Sequence, residues 1–429
     1  MSRDVGRTPD PHAAYVFTPG RAVECIEPRP ARPLRILMVV RLFFPSIGGT
    51  ERQALKLAKE LMNQGVKVQV LTGRWARGTA GQETIEGVDV IRNHTLWEFF
   101  GMKGARKLGG YLYMLTLIWH LWRRRNTYDV IHVHALNYHT FAAVLAGRWL
   151  GRPVVTKLAN SGSASDIGKM RKGQQLALSH LMIPIALRSD RFVALNQAVV
   201  HELAAVGVPT TRIARIPNGV ETRRGNVKRT YLLHNPVRLM YVGRLHEQKG
   251  VDVLLRSFRE LRRLRPGERL SLRLVGEGPA RAKLLAIARQ LDISRDVEFV
   301  GSRDDVPELL DQSDIFVLPS RAEGLSNALL EAMSVGLPIV ASKVPGNDDV
   351  IDHAQNGLLF TAEDPTSLTS ELMRLLDDAR LREAIGGRAR LTVEEKYGMR
   401  HVAQEYIQLY EELVPSSHTQ VSTAGRRQV

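Results

Sequence analysis

The stretch IFVLPSRAEGLSNALLEAM, residues 315–333, joins an apolar strand to a helix through a turn that contains glycine. Its first four residues, Ile315–Leu318, are typical of a parallel strand buried on both faces. Ser326 is a predicted N-cap for the helix, whose first amides and dipole favour an anion near Gly324. The stretch therefore predicts a doubly wound α/β domain with an anion seat beyond the carboxyl end of a strand.

Two carboxylates flank this seat. Glu323 precedes it, and Glu331 lies roughly 6–8 Å further along the helix at ~1.5 Å per residue. A ligand with hydroxyls on both sides of a pyrophosphate fits this order, and a nucleotide sugar is such a ligand. The alternative is a capped helix with two surface glutamates. The apolar neighbours Leu329, Leu330 and Met333 argue against it.

A second candidate loop, GRLHEQKG at residues 243–250, follows the apolar strand Val237–Val242. Gly243 permits close approach of the backbone to a ligand. Arg244 offers a planar fork for phosphate oxygens, and Lys249 offers a point charge. Together they predict a pyrophosphate site that needs no metal. A loop with two exposed cations is the alternative.

Apolar strands alternate with helical stretches twice along the chain, first from Leu34 and again from Val237. This alternation predicts an α/β protein with two Rossmann-like, doubly wound parallel-sheet domains that face each other across a cleft. The predicted segments are a disordered tail (1–33), a first domain (34–221), a linker (222–236), a second domain (237–395), a C-terminal helix that crosses back to the first domain (396–414) and a disordered tail (415–429).

Composition narrows the compartment and the class of protein. The chain has 429 residues, of which 44% are hydrophobic and 24% charged, as in soluble globular proteins. The single cysteine, Cys25, excludes a disulfide framework within one chain and fits a reducing compartment. The first thirty residues lack the apolar region of a secretory signal. Since the best apolar run, Tyr111–Trp122, is too short to span a bilayer, we expect a cytoplasmic protein.

Positive charge is concentrated in the first half of the chain. Residues 1–230 carry a formal charge of +19 and residues 231–429 a charge of −3. This excess indicates an anionic partner, and a solvated surface is the alternative. Nucleic acid is not expected, because no helix-turn-helix or RNA-reading motif accompanies the charge. Basic residues flank Tyr111–Trp122: Lys103, Arg106, Lys107 and Arg123–Arg125. An apolar helix with flanking cations fits an anionic membrane interface, and a helix packed within the protein is the alternative.

Several stretches resemble one family in order and spacing. They are GGTERQALKLAKEL (48–61), YDVIHVH (128–134), IPNGVE (216–221), MYVGRLHEQKG (240–250) and the opening stretch itself. Together they resemble the retaining GT-B glycosyltransferases marked by Glu-x7-Glu, of the bacterial family 4 type. The resemblance implies transfer of a sugar from a UDP- or GDP-sugar to a lipid-linked or polysaccharide acceptor, in cell-envelope or exopolysaccharide biosynthesis.

The resemblance also implies roles in the second domain. Arg244 and Lys249 match the pair that binds the donor diphosphate and stabilises the leaving group. Glu323 matches the acid that contacts the hydroxyls of the donor sugar, and Glu331 matches the glutamate that binds ribose. The backbone phosphate seat matches Gly324, Leu325 and Ser326.

In the first domain, Gly48 and Gly49 match the glycine loop that closes near the diphosphate and the acceptor. His134 matches the histidine beside the transferred sugar, and a satisfied polar residue at a strand end is the alternative. We expect His132 to point to the opposite face of the sheet and to be structural. Asn218 is a further candidate for the cleft.

Two positions depart from the family pattern. Glu221 stands where the family often has Asp, which exchanges one carboxylate for another. In the stretch KVPGNDD, residues 343–349, Asp348 takes the approximate place of the acid in the family's Gly-x-x-Glu pattern.

The mechanism is expected to rest on positioning and charge. No residue is a dedicated nucleophile for a two-step route, which favours a front-face route in which the departing phosphate helps deprotonate the acceptor. No metal site and no cofactor beyond the donor are expected. Two competitors remain: a noncatalytic nucleotide-sugar-binding protein of the same fold, and a dehydrogenase suggested by GEGPAR (276–281), a partial dinucleotide fingerprint.

Overall fold

The computed structural model describes residues 32–45, 48–76, 78–95, 106–158, 160, 165–173, 176, 179–222 and 230–414. The predicted C-terminal tail lies outside these ranges, and so does the N-terminal tail except for Arg32 and Pro33. Residues 223–229 of the predicted linker and Lys103 also lie outside them. From Leu34 onward the chain forms one compact unit that contains two sheets.

The first sheet contains eight strands in the described part of the chain: β1 (Arg35–Val40), β2 (Lys67–Gly73), β3 (Gln82–Ile85), β4 (Val88–Asn93), β5 (Val130–His134), β6 (Val154–Leu158), β7 (Arg191–Ala194) and β8 (Ile213–Arg215). They lie in the order β3-β4-β2-β1-β5-β6-β7-β8. The order reverses between β1 and β5, whose carboxyl ends therefore flank a crevice.

The second sheet contains six described strands: β9 (Val237–Val242), β10 (Leu270–Val275), β11 (Val297–Gly301), β12 (Ile315–Leu318), β13 (Ile339–Ser342) and β14 (Leu358–Phe360). They lie in the order β11-β10-β9-β12-β13-β14, and all neighbours are parallel. Here the order reverses between β9 and β12. The two loops singled out in the sequence follow these two strands, so the topology brings them to one crevice.

Helices cover both sheets. The described ones are α1 (Gly49–Asn63), α2 (Arg106–Arg123), α3 (Tyr138–Leu150), α4 (Asp166–Arg171), α5 (Ile183–Ala186), α6 (Gln197–Ala205), α7 (Val251–Leu264), α8 (Arg281–Gln290), α9 (Val306–Asp311), α10 (Asn327–Ser334), α11 (Pro365–Asp377), α12 (Ala379–Lys396) and α13 (Met399–Glu411). Within the described residues, none of them is both long enough and apolar enough to cross a membrane.

The prediction of two doubly wound α/β domains is confirmed, with one exception in strand direction. Strand β3 pairs antiparallel with β4 at the edge of the first sheet. The cause is the two-residue turn between them, in which Glu86 and Gly87 both have positive φ, at 47° and 87°. Turns with positive φ at both positions connect antiparallel strands, so this edge strand is a hairpin.

The last helix returns to the first sheet. Val220 exchanges backbone hydrogen bonds with Tyr397 (2.8 Å) and Met399 (2.9 Å), which brings the chain across from the second sheet. Helix α13 then packs against α1 and the core of the first sheet. Its Tyr406 and Tyr410 are both 0% exposed. The helix thus closes the core of the first sheet with two aromatic side chains.

We predict that Tyr406→Ala lowers the free energy of unfolding by about 3–5 kcal/mol, because it removes a fully buried aromatic ring and leaves a cavity. Leu391→Ala on α12 is the control, since Leu391 is 47% exposed; its effect should stay within about 0.5 kcal/mol. Urea denaturation followed by fluorescence measures both. Equal effects in the two variants would show that α13 does not belong to the folded core.

Candidate functional site

The site predicted as an anion seat lies at the amino end of α10. Ser326 has extended backbone, and its Oγ accepts a hydrogen bond from the amide of Leu329 at 3.3 Å. The amides before it in the first turn have no intrahelical acceptor, so they are available to an anion. The turn around Gly346, with φ at +91°, lies so close that a Cβ there would stand 2.3 Å from the carbonyl oxygen of Gly324. The backbone at Gly346 therefore packs directly against the backbone of the seat at Gly324.

The two candidate loops lie directly against each other. At Gly250, with φ at +61°, a Cβ would stand 2.0 Å from the carbonyl oxygen of Pro319. The side-chain amide of Gln248 donates to the carbonyl of Ala322 at 2.9 Å, and its backbone carbonyl accepts from Arg321 at 2.8 Å. The sequence predicted each loop separately, and in the structure the two loops pack together as one wall of the candidate site.

Lys249 and Glu323 form an ion pair in this wall. Lys249 Nζ lies 2.6 Å from Glu323 Oε1, and the hydroxyl of Ser320 donates to the same oxygen at 2.6 Å. Glu323 is only 7% exposed, so its charge depends on these partners. Neither bond uses Oε2.

Arg244 stands at the edge of the same wall. The amide of Gly243 donates to Val275 at 2.9 Å, and the carbonyl of Arg244 accepts from the hydroxyl of Tyr241 at 3.1 Å. These bonds fix the backbone, while the Arg244 side chain is exposed. The structure therefore holds Lys249 on Glu323 and leaves the guanidinium of Arg244 in solvent.

Glu331 faces the first domain. Its Oε1 accepts from Lys56 Nζ on α1 at 2.9 Å, and both side chains are about one-quarter exposed. The pair borders a cavity of about 360 Å³ between α1 and the α9–α10 region. Charged residues from both domains line it, over an apolar floor: Arg52, Lys56, Lys59, Glu86, Glu221, Asp304 and Glu331.

Asparagines bridge the two domains at the seat. The Asn327 side chain donates to the carbonyl of Gly49 at 3.1 Å and accepts from Asn218 at 2.8 Å. Asn218 is also within 3.5 Å of the carbonyl of Leu325. Asn196 donates to the carbonyl of Gly324 at 2.5 Å. The glycine loop, in which Gly48 precedes the first residue of α1, and Asn218 thus lie at the amino end of α10, and their binding roles stay predictions.

After β13 the acid that contacts the first domain is Asp349, one residue beyond Asp348. Asp348 is exposed, whereas Asp349 accepts from the amide of Gln197 at 3.1 Å and pairs with Arg215 at 3.3 Å. Asp349 is the third residue after Gly346, which is the spacing of a Gly-x-x-acid pattern. Asp349, and not Asp348, therefore occupies the acid position of that pattern.

His134 lies at the carboxyl end of β5 and is 2% exposed. Among the residues that the structure describes, neither of its ring nitrogens has a hydrogen-bond partner. Its ring stacks on His132 with the centroids 4.3 Å apart. The prediction that His132 faces the other way is therefore wrong, because residues two apart along a strand share a face. His132 is structural in its contact, as expected: its Nδ1 lies 2.7 Å from the Tyr410 hydroxyl.

The neighbouring strand adds a residue that sequence reasoning missed. Lys157 pairs with His134 in the β5–β6 register, is 5% exposed and donates to Asn218 Oδ1 at 2.9 Å. Its partner Asn218 in turn donates to Asn327 at the amino end of α10. A lysine inside an apolar strand (VVTKL) was the available signal. Lys56, Asn196 and Asn327 were also missed, since their partners lie more than a hundred residues away in the chain.

Burial lowers the pKa of each basic group in this cluster. Desolvation lowers the pKa of Lys157 to about 7. It also lowers the pKa of His132 and His139 to about 3 and the pKa of His134 well below its usual value, with Lys157 adding to the effect at His132 and His134. His134 is therefore a neutral imidazole at physiological pH, suited to hydrogen bonding and not to carrying charge.

We predict that Lys157 makes the free energy of unfolding rise with pH between about pH 7 and 10. Its folded pKa of about 7 lies below the unfolded value of about 10.4, so the unfolded chain binds one more proton between these values. Wild-type stability should therefore rise relative to Lys157→Met between pH 7 and 10, by up to about 1.4 kcal/mol per pH unit. Urea unfolding across this range measures it. A constant difference between the two proteins would show that Lys157 is not desolvated.

Two family models match the chain. The model described as Glycosyltransferase Family 4 matches residues 47–224, and the model described as Glycosyl transferases group 1 matches residues 236–378. The matched ranges contain every predicted site residue and between them hold most of both sheets.

Relatives and solved structures agree with these matches. The chain is 25% identical over 381 residues to N-acetyl-α-D-glucosaminyl L-malate synthase of Bacillus anthracis, covering 86% of this chain and 94% of that protein. It is 29% identical over 271 residues to UDP-Gal:α-D-GlcNAc-diphosphoundecaprenol α-1,3-galactosyltransferase of Escherichia coli, covering 59% of this chain and 68% of that protein. The structure of HepE from Anabaena with UDP and glucose superposes with a TM-score of 0.68 at 19% identity, covering 88% of this chain and 99% of that one. The chain belongs to the glycosyltransferases of the GT-B fold and the family 4 type.

Proposed function

We propose that the chain transfers a sugar from a UDP- or GDP-sugar to a lipid-linked or polysaccharide acceptor, with retention of anomeric configuration and without a metal, in cell-envelope or exopolysaccharide synthesis. One observation carries the proposal. The amino end of α10 lies between the Lys249–Glu323 pair on one side and Glu331 on the other. This order of groups matches the order of sugar, diphosphate and ribose in such a donor.

The donor diphosphate would occupy the seat. Lys249 keeps two N–H donors beyond the one aimed at Glu323, so it can hold a phosphate oxygen without leaving the acid. The exposed guanidinium of Arg244 supplies a second charge to the same phosphates. Glu323 Oε2 would accept from a sugar hydroxyl. Glu331 would accept from the ribose through the oxygen that Lys56 does not use.

The protein would then contribute to the chemical step mainly by positioning donor and acceptor and by stabilising negative charge on the diphosphate. The bond between the anomeric carbon and the diphosphate oxygen breaks, and the acceptor hydroxyl attacks from the same face. The departing phosphate oxygen takes the hydroxyl proton. Arg244 and Lys249 stabilise the negative charge that accumulates on the diphosphate. Neutral His134 would hydrogen-bond to the transferred sugar from the first domain.

The acceptor side of the proposal rests on the first domain. Its net positive charge fits an acceptor that carries phosphate or lies at an anionic membrane. The Escherichia coli relative is named for a diphosphoundecaprenol-linked acceptor, which supports a lipid-linked saccharide here. We therefore also propose a cytoplasmic protein, peripheral on the inner face of the plasma membrane.

We predict that Arg244→Ala and Lys249→Ala each reduce turnover by about 100-fold or more, since each removes a charge from the diphosphate in the transition state. Release of nucleoside diphosphate measures this, after a screen of UDP-, GDP- and ADP-sugars has identified the donor. Glu331→Gln should mainly raise KM for the donor, because ribose is bound equally before and during the reaction.

The matched control is Arg256→Ala, an exposed arginine on α7 of the same domain, which should retain normal turnover. Near-normal turnover in both Arg244→Ala and Lys249→Ala would remove the proposed diphosphate site. Binding of the donor without hydrolysis or transfer to any acceptor would favour a noncatalytic binding protein.

A further inference from the structure

Two neighbouring helices of the first domain expose large apolar side chains. On α2 these are Leu115 (66% exposed), Trp119 (56%) and Trp122 (42%); on α3 they are Leu145 (44%) and Trp149 (68%). We refer to these five residues as the tryptophan face. It contains three of the five tryptophans of the whole chain, so large aromatic surface is concentrated there.

The tryptophan face is not required by the packing of either helix. Helix α2 buries Tyr113, Met114, Leu117 and Leu121 against the first sheet, and α3 buries its own run of small apolar residues. Leu115, Trp119 and Trp122 stand at i, i+4 and i+7, which is a single stripe on the opposite side. Leu145 and Trp149 form the matching stripe on α3. Each helix thus has one apolar side for the core and a second that faces solvent.

The two stripes lie together at the carboxyl ends of the helices. Helices α2 and α3 pack against each other. Just beyond them, the guanidinium of Arg152 donates to the carbonyl of Arg125 at 2.8 Å, which fixes the two ends side by side. Trp122 and Trp149 are each within two residues of these ends. The apolar surface is therefore shared between the helices.

Arginines surround this surface. Residues 123–152 contain five arginines and a single acid, Asp129, which pairs with Arg35 and lies 3.9 Å from Arg152. Arg123 stacks over the Trp119 ring at 5.6 Å and Arg125 over the Trp122 ring at 5.4 Å. Arg148 is exposed beside Trp149. Tryptophan with arginine at its edge is suited to the boundary between lipid headgroups and acyl chains, where the ring is buried and the cation meets phosphate.

We infer that the tryptophan face inserts into the headgroup region of an anionic lipid bilayer and holds the first domain on the membrane. Charge complementarity favours an anionic bilayer over a protein partner, because an apolar contact with a protein would not require arginines with almost no acidic residues around it. The inference deepens the proposed function, on which it rests for the lipid-linked acceptor. Docking through this face would present the first domain to acceptors that stay in the bilayer.

Co-sedimentation of the full chain with vesicles tests the inference, using phosphatidylcholine with and without phosphatidylglycerol and no donor. Wild type should bind the anionic vesicles and bind neutral ones weakly. Trp119→Ala/Trp149→Ala should weaken binding by about tenfold or more through lost apolar burial. Arg123→Gln/Arg125→Gln/Arg148→Gln should weaken it by about fivefold per arginine and remove the preference for anionic lipid.

Leu391→Ala and Arg256→Gln/Arg259→Gln are matched exposed controls on α12 and α7, and they should bind like wild type. Wild-type binding that is equal with and without phosphatidylglycerol would overturn the inference. Undiminished binding of both face variants would also overturn it. A third outcome would also overturn the inference: a dimer in solution that dissociates in the tryptophan variants, with no vesicle binding by any of the proteins. The tryptophan face would then join two copies of the chain. Donor hydrolysis by the same samples separates the claims: the face variants should retain it, and its absence in wild type would contradict only the proposed function.

Discussion

The Lys249–Glu323 ion pair is the interaction on which the site depends. It joins the loop after β9 to the turn after β12, the two strands between which the order of the second sheet reverses. A carboxylate as buried as Glu323 needs a cation and a hydroxyl, and Lys249 and Ser320 supply them. Two glycines make this possible by letting backbone pass where a Cβ would collide, at Gly250 and Gly346. The two loops are therefore held together by steric constraint as well as by charge.

Contacts between the domains at the seat are polar and local. Asparagine side chains and a few ion pairs reach across, most of them to backbone carbonyls or exposed groups. Polar interfaces of this kind permit relative motion of domains. Helix α13 works differently, because it buries Tyr406 and Tyr410 in the core of the first sheet. The chain thus combines a buried apolar link at its end with a cleft whose two sides are joined by polar contacts.

Much of the fold and of the candidate site follows from short-range patterns in the sequence. Apolar runs place most strands, Ser326 marks the start of α10, and the spacing of Glu323 and Glu331 puts an acid on each side of the seat. Contacts between distant segments could not be predicted from one sequence. Nothing near Lys56 indicates Glu331, 275 residues away, and nothing near Lys157 indicates Asn218. The shared face of His132 and His134 follows from strand periodicity, since residues two apart in a strand lie on one face. Trp149 was missed because its exposure depends on how α3 packs.

Calorimetric binding of UDP and GDP, each compared with its free nucleoside, tests the diphosphate seat most directly. If the amino end of α10 holds the diphosphate together with Lys249 and Arg244, one diphosphate should bind at least about 100-fold more tightly than its nucleoside, since two or more charge-assisted hydrogen bonds are gained. In Lys249→Ala most of that difference should disappear. Equal affinities of nucleoside and nucleoside diphosphate in the wild-type protein would contradict the assignment of the seat.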